Sequence, residues 1–406
     1  MPEKTAVYPL SGIRVLAVEH FRLGPTGTMM LADAGAEVIK IEPPGVGEQG
    51  RTIKVRSKEG KMVPFLLPNL NRNKKSLALN LRHERGRELF KELVKLSDVV
   101  WENMRPHVLA GMGLGYQELR QLNPRLIYVS VTGFGHPDIY PSPYSDWPAF
   151  DAIGQAMSGF MYSAGDKGRP PAYSTAVLAD TVPSILAAYG ALLALQMRER
   201  TGLGQHVDMS MYDGMVFLMN YGVAYYAITG SEPPRGEVPT SAPMGAYRAR
   251  DGYLVLGVGG EPMWQRFCQV LGREDLLHHP QLSNGFERAR NNEEVLRPII
   301  EGWLADKTVS EAYRFLMERG VPAAPVQTIA DLFRCPHLES RNMLVPVEDP
   351  EAGVVRVAGN PVKLSAVPEK PARPAPGVGQ HTHEVLGQLL GLSPAEIQEL
   401  QGAGVI

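Results

Sequence analysis

Apolar runs of strand length alternate with helix-spaced apolar positions through the first third of the chain. Gly12-Ile-Arg-Val-Leu-Ala-Val18 reads as a buried strand. A turn is expected at Gly24-Pro25-Thr26-Gly27, followed by a short helix with Met29, Met30, Leu31 and Ala32. Ala36-Glu-Val-Ile-Lys-Ile41 is a second strand, and the strand–helix–strand order implies a parallel, right-handed unit. A third strand is expected at Ser76-Leu-Ala-Leu-Asn-Leu81, and a helix over roughly 84–97 carries Leu89, Phe90, Leu93 and Leu96 at helical spacing. Asp98-Val-Val-Trp-Glu102 is another strand, and a helix through Tyr116–Leu122 leads into the strand Leu126-Ile-Tyr-Val-Ser-Val-Thr132. This order predicts a doubly wound α/β domain with ligand loops at the C-terminal ends of its strands.

The stretch Phe150 to Gly202 holds the residue of greatest chemical interest. It contains Phe150-Asp151, Gln155-Ala-Met-Ser-Gly159 and Leu178-Ala-Asp180, then an apolar run closed by Arg198-Glu-Arg-Thr-Gly202. A helix is expected to begin at Thr181-Val182-Pro183, since proline suits a first turn that needs no donor. Ile185 to Leu195 is almost wholly apolar, which predicts burial on most sides. A carboxylate at Asp180 then faces free N–H groups and the positive end of the helix dipole. Both favour the ionised form, which can act as a nucleophile. Helix capping is the commoner job of an aspartate at such a position, and local sequence alone favours it.

Beyond this stretch, His206-Val-Asp-Met-Ser-Met211 is a strand, and an apolar helix runs to about Tyr226. Gly230-Ser-Glu-Pro-Pro-Arg-Gly236 reads as a linker. A new unit begins near Ala242, with strands at Gly245-Ala-Tyr-Arg248 and Tyr253-Leu-Val-Leu-Gly257 and helices near 261–271, 293–304 and 309–319. The tail has a proline-rich connector, Pro368 to Pro376, a helix from Thr382 to Leu390 and a last one beginning at Pro394. The expected division is a large domain over 1–225, a small one over 226–330 and a C-terminal return over 331–406.

Composition narrows the function classes. Of 406 residues, 44% are hydrophobic and 21% charged, as in a globular protein with a large core. A formal net charge of −2 offers no general attraction to nucleic acid or an anionic membrane, so an anion site has to be built locally. Cys268 and Cys335 form no disulfide framework and no metal motif. Met1-Pro-Glu-Lys-Thr5 shows no apolar signal core, and the apolar run within 182–195 falls short of the ~20 residues of a membrane span. A soluble cytoplasmic protein is the expectation.

The first strand–helix turn, His20-Phe-Arg-Leu-Gly24-Pro-Thr-Gly27, lacks the Gly-x-Gly-x-x-Gly of a dinucleotide loop, and there is no Walker Gly-Lys-Ser/Thr. A different phosphate site is open. Arg22 lies on the first turn, Asn71-Arg72-Asn73-Lys74-Lys75 precedes the third strand, and Asn103-Met104-Arg105-Pro106 follows the fourth. These loops can converge on a polyphosphate or can be solvated charges; spacing does not choose between them. Gly257-Val258-Gly259-Gly260 fits a plain turn or a mobile flap. His278-His279-Pro280 has no further ligand at metal spacing and reads as a surface turn.

Taken together, these segments resemble the class III CoA-transferases, the formyl-CoA and carnitine CoA-transferase group (CaiB/BaiF-like), with α-methylacyl-CoA racemase as a relative. The marks include Leu10-Ser-Gly-Ile-Arg-Val-Leu16, Gly24-Pro25, Leu31-Ala-Asp-Ala-Gly-Ala-Glu-Val-Ile-Lys-Ile-Glu42, Asn71-Arg-Asn-Lys74 and Glu102-Asn-Met-Arg-Pro106. They continue through Asn123-Pro-Arg-Leu-Ile-Tyr128, Gln155-Ala-Met-Ser-Gly159, Ala179-Asp180, Arg200-Thr-Gly-Leu-Gly-Gln-His-Val-Asp208, Asp251-Gly-Tyr253 and Gly379-Gln-His-Thr382. The resemblance implies a doubly wound, Rossmann-like large domain plus a smaller α+β domain, in ring-like subunits interlocked as a homodimer, or in a heteromer with a related subunit. It implies acyl-CoA and a small carboxylic acid as substrates and no permanently bound cofactor, metal, nucleic acid or membrane partner.

The resemblance also implies roles. Asp180 matches the family's catalytic aspartate, which forms anhydride and aspartyl–CoA thioester intermediates. Arg22, Leu23, Asn71, Arg72, Asn73, Lys74, Asn103, Met104 and Arg105 match CoA-contacting positions, as do Phe150 and Asp151 beside them. Gly257, Gly259 and Gly260 resemble a glycine loop that shields the intermediate. Pro43-Pro44 and Gly111 stand where some members carry arginine. Racemase relatives have a histidine at the position of Phe150, which cannot move a proton, so transfer is expected over racemisation.

Overall fold

The computed structural model describes residues 7–165, 167–236 and 238–406. Met1–Thr5, where a signal core was sought in the sequence, lie outside them. The chain divides into two compact units, one of residues 1–160, 173–220 and 337–406 and the other of 161–172 and 221–336.

The larger unit is built on six parallel strands: β1 (Arg14–Val18), β2 (Glu37–Glu42), β3 (Lys75–Ala78), β4 (Val99–Glu102), β5 (Ile127–Thr132) and β6 (His206–Ser210). Their order across the sheet is β3-β2-β1-β4-β5-β6. Strand order reverses between β1 and β4, the point at which an open α/β sheet leaves a crevice beyond its strand ends. Because side chains alternate along a strand, Val15 and Ala17 enter one core layer while Leu16 and Val18 enter the other. Burial on both faces is why these strands read as continuous apolar runs. The C-terminal tail joins the second layer through Val385, Leu386, Ile397 and Val405, and its backbone pairs with Ser76 and Asn80.

The other layer holds the long helix Leu178–Thr201, whose buried stripe is Ala187, Ala188, Ala191 and Ala194. Small residues let it approach the helix Leu23–Asp33 closely. A Cβ at Gly27 would lie 2.9 Å from the Ser184 carbonyl oxygen and 2.5 Å from the Trp101 ring.

Three local expectations are corrected. Gly24–Gly27 is the first turn of the helix Leu23–Asp33 and not a separate turn; glycine is used there for close packing. The long helix starts at Leu178, three residues earlier than expected, so Pro183 falls in its interior, where its ring packs against Gly214. The run Ile185–Leu195 is not buried on most sides, since Ile185, Tyr189, Leu192 and Leu193 are exposed. At 24 residues the helix is also long and apolar enough to cross a membrane by length and composition, where the narrower apolar window had fallen short. In the fold its alanine stripe is part of the sheet's core.

The smaller unit has a three-stranded antiparallel sheet, ordered Ala323–Pro325, Gly252–Gly257, Met244–Ala249. Trp264, Phe267, Cys268 and Leu316 pack in its core. Cys268 is a buried helix residue, as its amphipathic context predicts.

Candidate active site

A cavity of about 1010 Å³ opens at the C-terminal ends of β1, β2, β4 and β5. It lies at the upper end of small-molecule sites, roughly 300–1,000 Å³, and has room for a nucleotide-sized ligand. Asn103, just beyond β4, spans the crevice to the segment after β1. Its Oδ1 accepts from the His20 N–H at 2.9 Å and its Nδ2 donates to the His20 carbonyl at 3.1 Å. Gly24 leaves room for this arrangement, because a Cβ there would meet Asn103 Oδ1 at 2.7 Å.

Four carboxylates line the cavity: Glu19, Glu42, Glu48 and Asp180. Three are tied down. Glu19 takes Lys74 Nζ at 2.7 Å and Thr28 Oγ1 at 2.7 Å. Burial pushes its carboxyl up, but Lys74 and Lys40 outweigh this and hold it below the ordinary value. Glu42 receives both guanidinium arms of Arg51 at 2.7 Å. Glu48 accepts from the Gly50 N–H at 2.6 Å and the Phe21 N–H at 3.1 Å, with Lys40 at 3.5 Å. Asp180 makes no side-chain hydrogen bond and no ion pair among the described residues.

Asp180 is the third residue of the long helix. The helix enters through Val177, a β-branched residue held at φ +55°, and Phe21 at φ +58° similarly precedes the helix Leu23–Asp33. Left-handed backbone at such residues costs free energy and clusters at functional sites. Val177 supplies no side-chain cap; instead Asp151 accepts from the Ala179 N–H at 2.8 Å. Asp151 also accepts from Tyr173 Oη at 2.8 Å and Gln155 Nε2 at 2.7 Å. The commonest role of an aspartate at a helix start is thus filled by Asp151, and Asp180 is left unengaged beside it. Burial and, after it, the Asp151 charge raise the Asp180 carboxyl to about 7, with Arg22 opposing both. This corrects the expectation that the helix terminus alone favours the ionised form: burial and a neighbouring negative charge act the other way.

The anticipated residues separate into groups. Leu23, Asn103, Met104, Arg105, Phe150 and Asp180 line the cavity, with the Phe21 ring edge-on to Phe150 at 6.4 Å. Asp151 is buried and does not line it. The segment 71–74 turns inward. Arg72 pairs with Asp33 at 2.7 Å, Asn73 Nδ2 donates to Asp33 at 2.7 Å, and Lys74 pairs with Glu19. Buried Asn71 accepts from Lys74 Nζ through its Oδ1 at 3.2 Å, and its Nδ2 has no partner among the described residues. These cations are neither solvated nor in the cavity wall. Arg22 also lies outside the wall. Arg82, which follows the third strand, lines it and was not singled out in the sequence; its position after a strand of the sheet was the available signal. Pro43 and Pro44 form part of the wall, and Gly111 does not. In the smaller unit, Gly257 ends a strand, Val258 is buried, and Gly259 and Gly260 are exposed, Gly260 at φ +76°. His279 Nδ1 accepts from the Gln281 N–H, as in a surface turn.

The profile of CoA-transferase family III matches residues 10–382. The chain is 36% identical over 401 residues to the succinyl-CoA–D-citramalate CoA-transferase of Chloroflexus aurantiacus, covering 98% of each chain. It is 37% identical over 385 residues to the succinyl-CoA:mesaconate CoA-transferase of Haloarcula hispanica, covering 93% of this chain and 96% of that one. The crystal structure of a CAIB/BAIF family protein from Brucella suis superposes with a TM-score of 0.81 at 31% identity, covering 94% of this chain and 99% of the other. Family profile, relatives and fold agree along nearly the whole length: the chain belongs to CoA-transferase family III and is a CoA-transferase.

Proposed function

We propose that Asp180 is the nucleophile that carries CoA from an acyl-CoA donor to a carboxylic acid acceptor. The observation that carries this reading is that Asp180 alone, of four carboxylates lining the large cavity, has no hydrogen bond or ion pair among the described residues. In the first step an Asp180 oxygen bonds to the thioester carbonyl carbon and the C–S bond breaks, giving a mixed anhydride and CoA thiolate. The thiolate attacks the aspartyl carbonyl carbon, releasing the donor acid as its carboxylate and leaving an aspartyl–CoA thioester. The acceptor carboxylate attacks that thioester and expels the thiolate, giving a second anhydride. Thiolate attack on the acceptor's acyl carbon then forms the new acyl-CoA and restores the Asp180 carboxylate. No proton is consumed, and thioester free energy is kept as long as water stays out.

Cavity volume and lining support placing CoA between the segments 20–23, 103–106 and 147–150, with Arg82 and Arg105 as cations for its phosphates. The ion pairs that hold buried Arg72 and Lys74 support a structural role for the segment 71–74 and not direct phosphate contact. Succinyl-CoA, named in both relatives, is the proposed donor, and a cytoplasmic homodimer the proposed form. Purified chain is to be assayed for CoA exchange from succinyl-CoA to a panel of acids, as wild type and as Asp180→Ala. New acyl-CoA with the wild type and none with the variant is the expected result; equal turnover by both would contradict it.

A further inference from the structure

Arg22 is a half-buried guanidinium with no carboxylate partner among the described residues. Phe21 and Leu23 line the cavity, but Arg22 between them does not. Its guanidinium lies 5.8 Å from the centre of the Phe65 ring, and Phe65 is 40% exposed. Among the described residues Arg22 makes no ion pair and no side-chain hydrogen bond, whereas Arg51, Arg72, Lys40 and Lys74 nearby are all paired.

Its location relative to Asp180 is fixed by a direct tie between two helices. Ser184 Oγ donates to the Leu23 carbonyl at 2.5 Å. Asp180 lies one turn before Ser184, on the same helix face, and Arg22 immediately precedes Leu23. Arg22 thus stands beside Asp180, off the cavity that accommodates the cofactor-sized ligand, and both Asp180 and Tyr173 feel its charge.

We infer that Arg22 binds the far carboxylate of a dicarboxylic acyl group while the near carboxyl carbon reacts at Asp180, so that the acids exchanged are short diacids. This rests on the reading of Asp180 as nucleophile. Two physical arguments support it. Thiolate approaches Asp180 from the cavity, so the acyl chain of the anhydride must project elsewhere, and Arg22 lies outside the cavity wall. Charge balance points the same way. Once Asp180 is acylated it no longer carries the negative charge that faces Arg22, and a substrate carboxylate replaces it. A guanidinium fork backed by an aromatic face suits a carboxylate in bidentate geometry.

Two four-carbon pairs test this: succinyl-CoA against butyryl-CoA as donors, and free succinate against butyrate as ligands in a thermal-shift titration, which needs no turnover. Wild type is expected to prefer the diacid in both. Arg22→Gln is expected to lower the ratio of kcat/KM for succinyl-CoA over butyryl-CoA about 10²-fold and to remove the succinate-dependent rise in Tm, with Arg22→Lys in between. Equal losses for both donors, or a wild type that binds succinate no better than butyrate, would overturn the assignment. Failure of the nucleophile reading is seen separately, as absence of any CoA exchange by the wild type while succinate still binds through Arg22.

Discussion

Asp151 caps the helix that presents Asp180, by accepting the Ala179 N–H at 2.8 Å. One carboxylate is spent on the helix terminus, and the other, Asp180, is left without a hydrogen bond or ion pair among the described residues. Capping also fixes the negative charge of Asp151 close to Asp180, where it opposes ionisation. Position and acidity of Asp180 are therefore set by the same neighbour.

The first prediction is a pH profile. Burial, then Asp151, put the Asp180 carboxyl at about 7, and the carboxylate is the nucleophilic form. The kcat/KM for acyl-CoA is expected to rise with pH through an inflection near 7. Asp151→Asn keeps an acceptor for the Ala179 N–H but removes the charge, so the inflection should move to lower pH. An unmoved inflection would mean that another group controls it.

Stability should carry the mirror image of this effect. A carboxyl whose folded value lies near 7, above the ordinary aspartate value of 3.8, favours the folded state only while protonated. Its contribution is complete below about 4 and lost as pH rises through 7. Asp180→Asn is therefore expected to raise Tm at pH 8 and to have no effect at pH 4, measured by thermal melts across that range.

Lys74 separates a structural from a cofactor-binding role for the segment 71–74. Lys74 and Glu19 are both fully buried and paired at 2.7 Å. Lys74→Met removes the nearer of the two lysines that neutralise Glu19 in the interior and leaves Lys40 at 3.4 Å, which is expected to cost up to about 3–5 kcal/mol in chemical denaturation. Adding Glu19→Gln should recover part of that loss. A stable Lys74→Met protein with a raised KM for acyl-CoA would return Lys74 to the cofactor.

Asn103 holds the segment after β1 through both halves of its amide. Asn103→Ala removes two hydrogen bonds and is expected to cost about 1–3 kcal/mol. It should also raise KM for acyl-CoA more than it lowers kcat, because the freed segment lines the cavity. Steady-state kinetics together with denaturation check both parts.

The sheet was legible in the sequence because its strands are buried on both faces. Val15–Val18 and Val99–Trp101 leave no polar interruption to confuse the pattern. The hairpins Lys54–Arg56 with Met62–Pro64 and Leu344–Asp349 with Gly353–Ala358 were not legible; they are largely solvated and lack apolar periodicity. Asp180 stood out, but its relation to Asp151 did not, since the capping bond joins residues 28 apart. The charges of 71–74 resembled solvated loop residues for the same reason. Their partners Asp33 and Glu19 lie 39 and 55 residues away in sequence, and no local pattern reports such a pairing.

Chemical trapping of the acylated enzyme tests the account most directly. Incubation with acyl-CoA followed by hydroxylamine should convert Asp180 to its hydroxamate, and borohydride should reduce an aspartyl–CoA thioester at this position to homoserine. Peptide mass spectrometry is expected to locate both changes at Asp180 and to find neither without acyl-CoA. Modification of a different residue, or an unmodified Asp180 in an enzyme that is turning over, would contradict covalent transfer through this side chain.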